Sequence, residues 1–425
     1  MKCAAASACL IGVMTTSFLA CGPRRGAGAP AQSTGSAPQA GAAPAPTENS
    51  VDLAAMFERE SSGLEPKPVS DAQGGFDTKV AASAAPTVHQ VEGMSVVEIP
   101  IGSQAPVRCQ VFPDEVDSGG TLQGVVKELT AKVQPKRVTA WSVRVVGESP
   151  ATFVSVIYHA QSPRGTLVGE LKLALHAVPT RPVLCMHDEA GYKKTFESVV
   201  SGFGESLKLK KAPPGRSFLE VQTAHVSGQP VGFSKSTLRG SGKEREFSTN
   251  SMLMVSKSET ELAFRDSITI ETIDPQDRLL RGVWVDAAGG EVAMSIKLEQ
   301  LAGKQGTYRY EGKLQGKPVS GELTTKDRKA LPSTVATLKR LSREGKKAGA
   351  FNIVAEHYVP DLDPTRLIET KYTRASGDPA QTFRYEAAAF KFTGKLDAQG
   401  MIESAELPVG AATLTFHRDL LQGKL

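Results

Sequence analysis

SFLEVQTAHVSGQPVGFSKSTLR, residues 217–239, opens a long stretch that reads almost wholly as strand. SFLEVQTAHV has the β-branched and aromatic content of a strand, and a glycine-containing turn follows it. SMLMVSK, ELAFRDSITIETI, LLRGVWVDAAGG, EVAMSIKLEQ, GTYRYEGKL and KPVSGELTTK continue at intervals of about 8–15 residues, with Gly-rich turns between. One helix interrupts the series, LPSTVATLKRLSREGKKAG. Pro332 and Ser333 suit its start and Gly345 its stop. AFNIVAEHYV, RLIETKYTRA, QTFRYEAAAFKFTGKLDAQG and MIESAELPVGAATLTFHRDL then resume the pattern, with LDAQG as a hairpin turn. A sheet of so many strands must curl or close. The expectation for 211–425 is a mostly β domain with one helix, built as a curved antiparallel sheet or half-barrel.

Upstream the pattern is mixed. MSVVEIPI and VRCQVF read as strands. TLQGVVKELTAKV places Leu122, Val125, Val126, Leu129 and Val133 on one helical stripe. RVTAWSVRVV, ATFVSVIYHA, GTLVGELKLALHA and RPVLCM are further strands. In the third, Leu167, Gly169, Leu171, Leu173 and Leu175 share one face while Glu170 and Lys172 share the other, which predicts a half-buried strand. DEAGYKKTFESVVSGFGESLK sets Tyr192, Phe196, Val199, Val200 and Phe203 on one side of a helix, with Asp188 as its N-cap. An antiparallel sheet with two helices on one face accommodates this order over 87–210. The basic, Pro-rich LKLKKAPPGR at 207–216 marks the boundary, and the fold class is α+β.

The strand series that begins with SFLEVQTAHVSGQPVGFSKSTLR is similar in pattern to half-barrel envelope proteins of the outer-membrane lipoprotein carrier and receptor type. That resemblance implies a concave sheet that cradles acyl chains. The strand-helix order of 87–210 resembles the α/β sandwich of the photosystem oxygen-evolving-complex subunit family and its bacterial lipoprotein relatives.

The chain begins MKCAAASACLIGVMTTSFLACGPRRG. Its apolar run, about Ala4 to Ala20, is slightly short for a spanning helix and is weakened by Thr15, Thr16 and Ser17. Phe18-Leu19-Ala20-Cys21 resembles the bacterial lipobox, which implies cleavage before Cys21 and a diacylglyceryl group on its sulfur. Phe18 in place of an aliphatic residue and the charges of Arg24-Arg25 depart from the usual pattern. An ordinary secretory signal or an uncleaved anchor is the competing reading. Two or three acyl chains on Cys21 would anchor the protein stably, at about 0.8 kcal/mol per buried methylene. Gly22, rather than Asp, follows the cysteine, the pattern that goes with the outer membrane in diderm bacteria. In residues 22–50, 21 of 29 are Gly, Ala, Pro or Ser and none is Val, Ile, Leu, Met or aromatic, so this segment cannot bury a core. As a coil it spans roughly 30 Å. In 51–86, Leu53, Met56 and Phe57 have helical spacing; the rest reads as loop. The divisions are a signal peptide at 1–20, the lipidated Cys21 with its flexible tether over 21–86, and the domains 87–210 and 211–425.

With 50 basic and 45 acidic residues, the net charge of +5 is small and unclustered, which gives no nucleic-acid footprint. Five cysteines are present. Cys3 and Cys9 leave with the signal and Cys21 is lipidated. Cys109 and Cys185 remain for one disulfide in an oxidising compartment, with two separate buried thiols as the alternative. A bridge would close a loop contributing roughly 4.5 kcal/mol in the chain-entropy account.

Few groups carry chemistry. Cys185-Met186-His187-Asp188-Glu189 has thiol, imidazole and carboxyls together, but a metal site needs three or four converging ligands, and a strand end beside a helix cap explains the same residues. HExxH, CxxC, P-loop and G-x-S-x-G patterns are missing. His159, His176, His225 and His357 lie in strand-like runs and read as core or surface histidines. Asp361 and Asp363 lack the distal Glu of a calcium loop. The basic run Lys339–Lys347 reads as a solvated helix face. The expectation is therefore a non-enzymatic, membrane-anchored envelope lipoprotein without cofactor or metal. It would bind a lipid or lipid-linked ligand, or alternatively serve as a protein-interaction scaffold in an envelope complex.

Overall fold

The computed structural model describes residues 53–425, apart from 115, 117, 132, 163–164, 211–214 and 348. Cys21 and the expected signal peptide at 1–20 lie outside the described residues. The first unit runs α1 (Leu53–Phe57), β1 (Glu65–Asp71), β2 (Phe76–Ala82), β3 (Thr87–Val91), β4 (Met94–Ile99), β5 (Val107–Val111), α2 (Ser118–Thr130), β6 (Gln134–Val146), β7 (Ser149–Ser162), β8 (Gly165–His176), β9 (Val183–Asp188), α3 (Lys193–Ser206) and β10 (Lys208–Leu209). The second runs β11 (Arg216–Val226), β12 (Gln229–Arg239), β13 (Arg245–Ser258), β14 (Glu261–Ile273), β15 (Leu279–Ala288), β16 (Glu291–Gln300), β17 (Thr307–Leu314), β18 (Lys317–Thr324), α4 (Thr334–Gly345), β19 (Phe351–His357), β20 (Ile368–Arg374), β21 (Thr382–Ala387), β22 (Phe390–Leu396), β23 (Ile402–Val409) and β24 (Ala412–Gly423). The protein is mostly β, in large antiparallel sheets with few helices, so the helical share that α+β implies is smaller than expected.

A seven-stranded sheet, β3-β4-β5-β9-β8-β7-β6, forms the middle layer. Cys109 and Cys185 face each other in register across β5 and β9 and are joined by a disulfide. On one face of this sheet, Val97, Val107 and Phe153 pack with Phe196, Val199, Val200 and Phe203 of α3 and with Phe76 and Val80 of β2. On the other face, Val154, Leu173 and Leu184 pack with Leu122 of α2 and with Phe233, Met252 and Phe264 of β12–β14. The two helices thus lie on opposite faces, not one. The stripe of α2 is shared with the second unit, which a reading of 87–210 alone has no means of supplying.

Two further expectations are corrected. The segment 58–86, read as loop in the tether, contains the β1–β2 hairpin, which pairs with β10 in a three-stranded sheet. Phe76, Val80 and Ala82 are buried against α3 and the middle sheet, but they alternate with Asp77, Lys79 and Ala81 over only seven residues between glycine- and serine-rich flanks. β8 is buried on both faces, not half-buried: Lys172 is 0% exposed and Glu170 6%.

The second unit is a single fourteen-stranded sheet, β18-β17-β16-β15-β14-β13-β12-β11-β24-β23-β22-β21-β20-β19. Laid flat, fourteen strands at ~4.8 Å spacing would be some 60 Å wide. Strand twist forbids that, and the two ends of the sheet meet. Lys326, just past β18, donates its backbone N–H to Glu356 of β19 at 3.0 Å. Its ammonium lies 3.6 Å from Glu356 and 3.7 Å from Glu369 of β20. Tyr358, just past β19, stacks edge-on against Trp284 of β15, with ring centroids 5.1 Å apart. The sheet is rolled, and α4 packs within the roll. Ser333 caps α4 by accepting from the Ala336 N–H.

Candidate ligand cavity in the rolled sheet

The roll encloses a cavity of ≈ 90 Å³ with two chemically different walls. One wall is apolar and aromatic. Tyr372, Tyr385, Phe392, Leu407 and Phe416 line it from β20–β24. The rings of Tyr372 and Tyr385 lie 4.9 Å apart, and those of Tyr385 and Phe392 lie 4.7 Å apart.

The opposite wall is polar, and the antiparallel register builds it. Glu220, Ser236, Thr249, Thr269 and Trp284 form one row across β11–β15. In the next row, Gln222, Ser234, Ser251, Ser267 and Asp286, Gln222 lines the cavity. Hydroxyls bond along the rows: Ser236 to Thr249 at 2.9 Å and Ser251 to Ser234 at 2.8 Å. This inverts ordinary strand patterning. In SITIET of β14, Ser267, Thr269 and Glu271 are buried, whereas Ile268 and Ile270 are only half-buried. Such rows cost stability unless their groups find partners.

Several partners are in place. Glu271 accepts from the Thr334 N–H at 2.7 Å and the Thr334 hydroxyl at 2.8 Å, at the start of α4. The His357 ring meets Thr337 Oγ1 at Nε2 (2.8 Å) and Thr370 Oγ1 at Nδ1 (2.7 Å). Arg418 donates to the Ile402 carbonyl at 2.8 Å and pairs with Asp397 at 2.5 Å. Arg265 pairs with Asp286 at 2.6 Å. Four atoms are left over: Glu220 Oε1, Gln222 Oε1, Asp361 Oδ2 and the Thr269 hydroxyl are buried and have no protein partner. An unsatisfied buried acceptor costs about 1–3 kcal/mol.

The carboxyls respond to this setting. Burial pushes Glu220 up to about 7 against the opposing pull of Arg418 and a hydrogen bond from Gln222. Burial raises Glu271 to about 7 despite its bonds from Thr334. Burial, then the neighbouring Asp286, raises Asp361 to about 7, with Arg265 opposing. Burial holds His357 down at about 4. Near neutral pH the polar wall is thus poised between charged and uncharged forms. It can accept hydrogen bonds while the aromatic wall takes apolar atoms.

The residues singled out from sequence fall mostly elsewhere. In the 185–189 cluster, Cys185 is held in the disulfide, and Asp188 ends β9 and accepts from the Tyr158 hydroxyl at 2.6 Å. Glu189 accepts from Gln104 N–H at 2.8 Å, and His187 Nε2 lies 3.3 Å from Ser103 Oγ. Among the described residues no group of three or more His, Cys, Asp or Glu has a metal-holding arrangement. His176 is buried with Nε2 3.0 Å from the Val146 carbonyl oxygen. Asp361 and Asp363 separate: Asp361 faces the cavity, while Asp363 accepts from Thr365 and pairs with Arg366 at 2.8 Å. Lys339 and Lys347 of the basic run pair with Asp277 and Glu344. His357 and Asp361 line the cavity, although the sequence marks them only as a strand histidine and a loop carboxylate. Glu220, Gln222 and Glu271 line it without belonging to any motif. The available signal was the recurrence of paired polar residues two apart in consecutive strands, E-x-Q, S-x-S, T-x-S and S-x-T.

No protein-family model matches the chain, and no curated protein matches it. Among solved structures, the chain is similar to a β-barrel-like protein of a domain of unknown function, DUF1849, from Brucella abortus. The likeness has 12% identity and a TM-score of 0.36, over 50% of this chain and 99% of that one. It is also similar to a DUF1089 family protein from Pseudomonas aeruginosa, with 21% identity and a TM-score of 0.24, over 41% of this chain and 89% of that one. Both likenesses are distant, and neither bears on function.

Proposed function

We propose that this chain is a non-enzymatic envelope lipoprotein, anchored through Cys21 to a membrane, the outer one by the residue that follows, and that its rolled sheet binds a lipid or lipid-linked ligand. The observation that carries the proposal is the cavity itself, with an aromatic wall facing an acceptor-rich one inside a single sheet. Such a pairing suits an apolar chain with a polar end. The half-barrel form of lipoprotein carriers would use its concave face in the same way. The scaffold alternative draws less support, because the large exposed apolar side chains among the described residues, Val91, Leu167, Val292 and Val354, fall singly on four strands.

At ≈ 90 Å³ the cavity is smaller than the ~150 Å³ that holds benzene, so only part of a chain fits it as it stands. Taking a whole chain requires the roll to widen. The seam between β18 and β19 is the place, since Lys326 is 74% exposed at its side chain and exposed pairs are worth little.

The test is mass spectrometry. Mature protein from native membranes, with a Cys21→Ser control, is analysed for its N-terminal adduct and for co-purifying lipid. The proposal expects an acylated Cys21 that the control lacks, and a bound amphiphile in both. Protein that carries no lipid and takes up none on incubation would overturn the binding role. An unmodified N-terminus further along the chain would overturn the anchor.

A further inference from the structure

Resting on the ligand-binding reading above, we infer that the cavity selects an amphiphile whose head carries hydrogen-bond donors and no negative charge. The inference stands on what the polar wall offers and what it has already used. Glu220 is 6% exposed and Gln222 2%; each lines the cavity and carries one oxygen that accepts from no protein group. Asp361 adds a third such oxygen near the β14–β15 end of the wall.

The cationic donors nearby are committed, and the one hydroxyl of the wall that lacks a partner is that of Thr269. The guanidinium of Arg418 is held by Asp397 and the Ile402 carbonyl, and that of Arg265 by Asp286. Thr334 donates to Glu271. The His357 ring lies between Thr337 and Thr370. A carboxylate or phosphate entering here meets the carboxyls of Glu220, Glu271 and Asp361 and finds the neighbouring cations already paired. A hydroxyl or ammonium group meets open acceptors and fills them, which removes the penalty they carry in the empty site. The aromatic wall suits either source, since ring faces attract an ammonium and also cover apolar carbons.

Calorimetric titration of the full mature protein with four probes of equal chain length tests this: a monoacylglycerol, a primary alkylamine, a fatty acid and its methyl ester. The expected result is that the monoacylglycerol or the amine binds about tenfold or more tightly than both the acid and the ester. The two donor sources separate by pH. Amine binding tightens from pH 5 to 8 as the carboxyls ionise, and glycerol-head binding does not. Gln222→Met, which keeps the side chain's length and loses the acceptor, narrows the ratio of monoacylglycerol to ester affinity; if it fails to fold, the wild-type series alone decides. A fatty acid that binds as tightly as the monoacylglycerol, or four probes bound alike, overturns the head-group inference and leaves the lipid-binding role standing. Binding of none of the four overturns both.

Discussion

Glu60 caps the helix that begins beside Thr195. Its Oε2 accepts from the Thr195 N–H at 2.7 Å and from the Thr195 hydroxyl at 2.6 Å, and its Oε1 accepts from the Lys194 N–H at 2.8 Å. The residue at the helix's own N-cap position, Tyr192, has φ 59° and offers no side-chain acceptor. A carboxylate 135 residues earlier in the chain takes that role and adds favourable charge at the positive end of the helix dipole.

Glu60→Ala is therefore expected to destabilise the protein by about 1–2 kcal/mol near neutral pH, read by urea unfolding. Burial raises the Glu60 carboxyl, but the bonds from Thr195 and Lys194 outweigh it and hold the group below its ordinary value of 4.5. A lowered carboxyl stabilises above its unfolded value and stops doing so as pH falls through the folded one. Wild type and variant should converge as pH falls from 4.5 through the lowered folded value; a gap that does not narrow with falling pH would mean the alanine acts through packing instead.

This contact also marks the limit of what could be read from the sequence. Phe196, Val199, Val200 and Phe203 announce their helix by spacing and are all buried, and Ser333 announces the start of α4. Asp188 was the natural local candidate to cap the first, yet it belongs to β9 and accepts from Tyr158. Local rules find caps that lie next to their helix. They cannot find Glu60, whose relation to Thr195 exists only once the first unit has folded. The polar wall was hidden for a related reason. Alternation in SITIET identifies a strand, but not that the hydroxyl face points into a roll and the isoleucine face outward, because that depends on how far the sheet curls.

Glu170 and Lys172 form the second test. Lys172 is 0% exposed; its ammonium lies 3.4 Å from Glu170, whose other oxygen accepts from Ser155 at 2.8 Å. Burial lowers the Lys172 pKa, with Glu170 opposing it. Glu170→Ala leaves the buried Lys172 ammonium without its carboxylate, with the Glu189 carbonyl as its remaining hydrogen-bond partner, and should cost about 3–5 kcal/mol. Glu170→Gln combined with Lys172→Met should recover most of that loss, because no charge then remains inside. A double variant as unstable as the single one would show that the hydrogen bonds matter more than the charge.

The junction between the two units offers a third. Asp266 of β14 accepts from the N–H groups of Gly119 (2.9 Å) and Gly120 (3.2 Å) at the start of α2. It joins helix dipole, sheet and shared core in one place. Asp266→Ala should lower stability by about 1–2 kcal/mol and raise hydrogen exchange selectively in 118–122. Uniform loss of protection across the chain would argue against a local tie.

The cavity carboxyls give the fourth, in pH. Burial raises the pKa of Glu220 from 4.5 to about 7. Between those values the folded chain holds a proton that the unfolded chain releases. Stability from this group is therefore complete below about pH 4.5, falls as pH rises, and is fully lost above about pH 7. His357, lowered from 6.5 to about 4 by burial, runs the other way and partly masks the slope in the wild type. Glu220→Gln removes only the carboxyl's share. Measured from pH 4 to pH 8, its stability relative to wild type should improve by up to about 3 kcal/mol, the free energy of some 2.5 pKa units. A relative stability flat with pH would mean that Glu220 ionises in the roll as freely as in water, and the polar wall would then be wetter than its geometry implies.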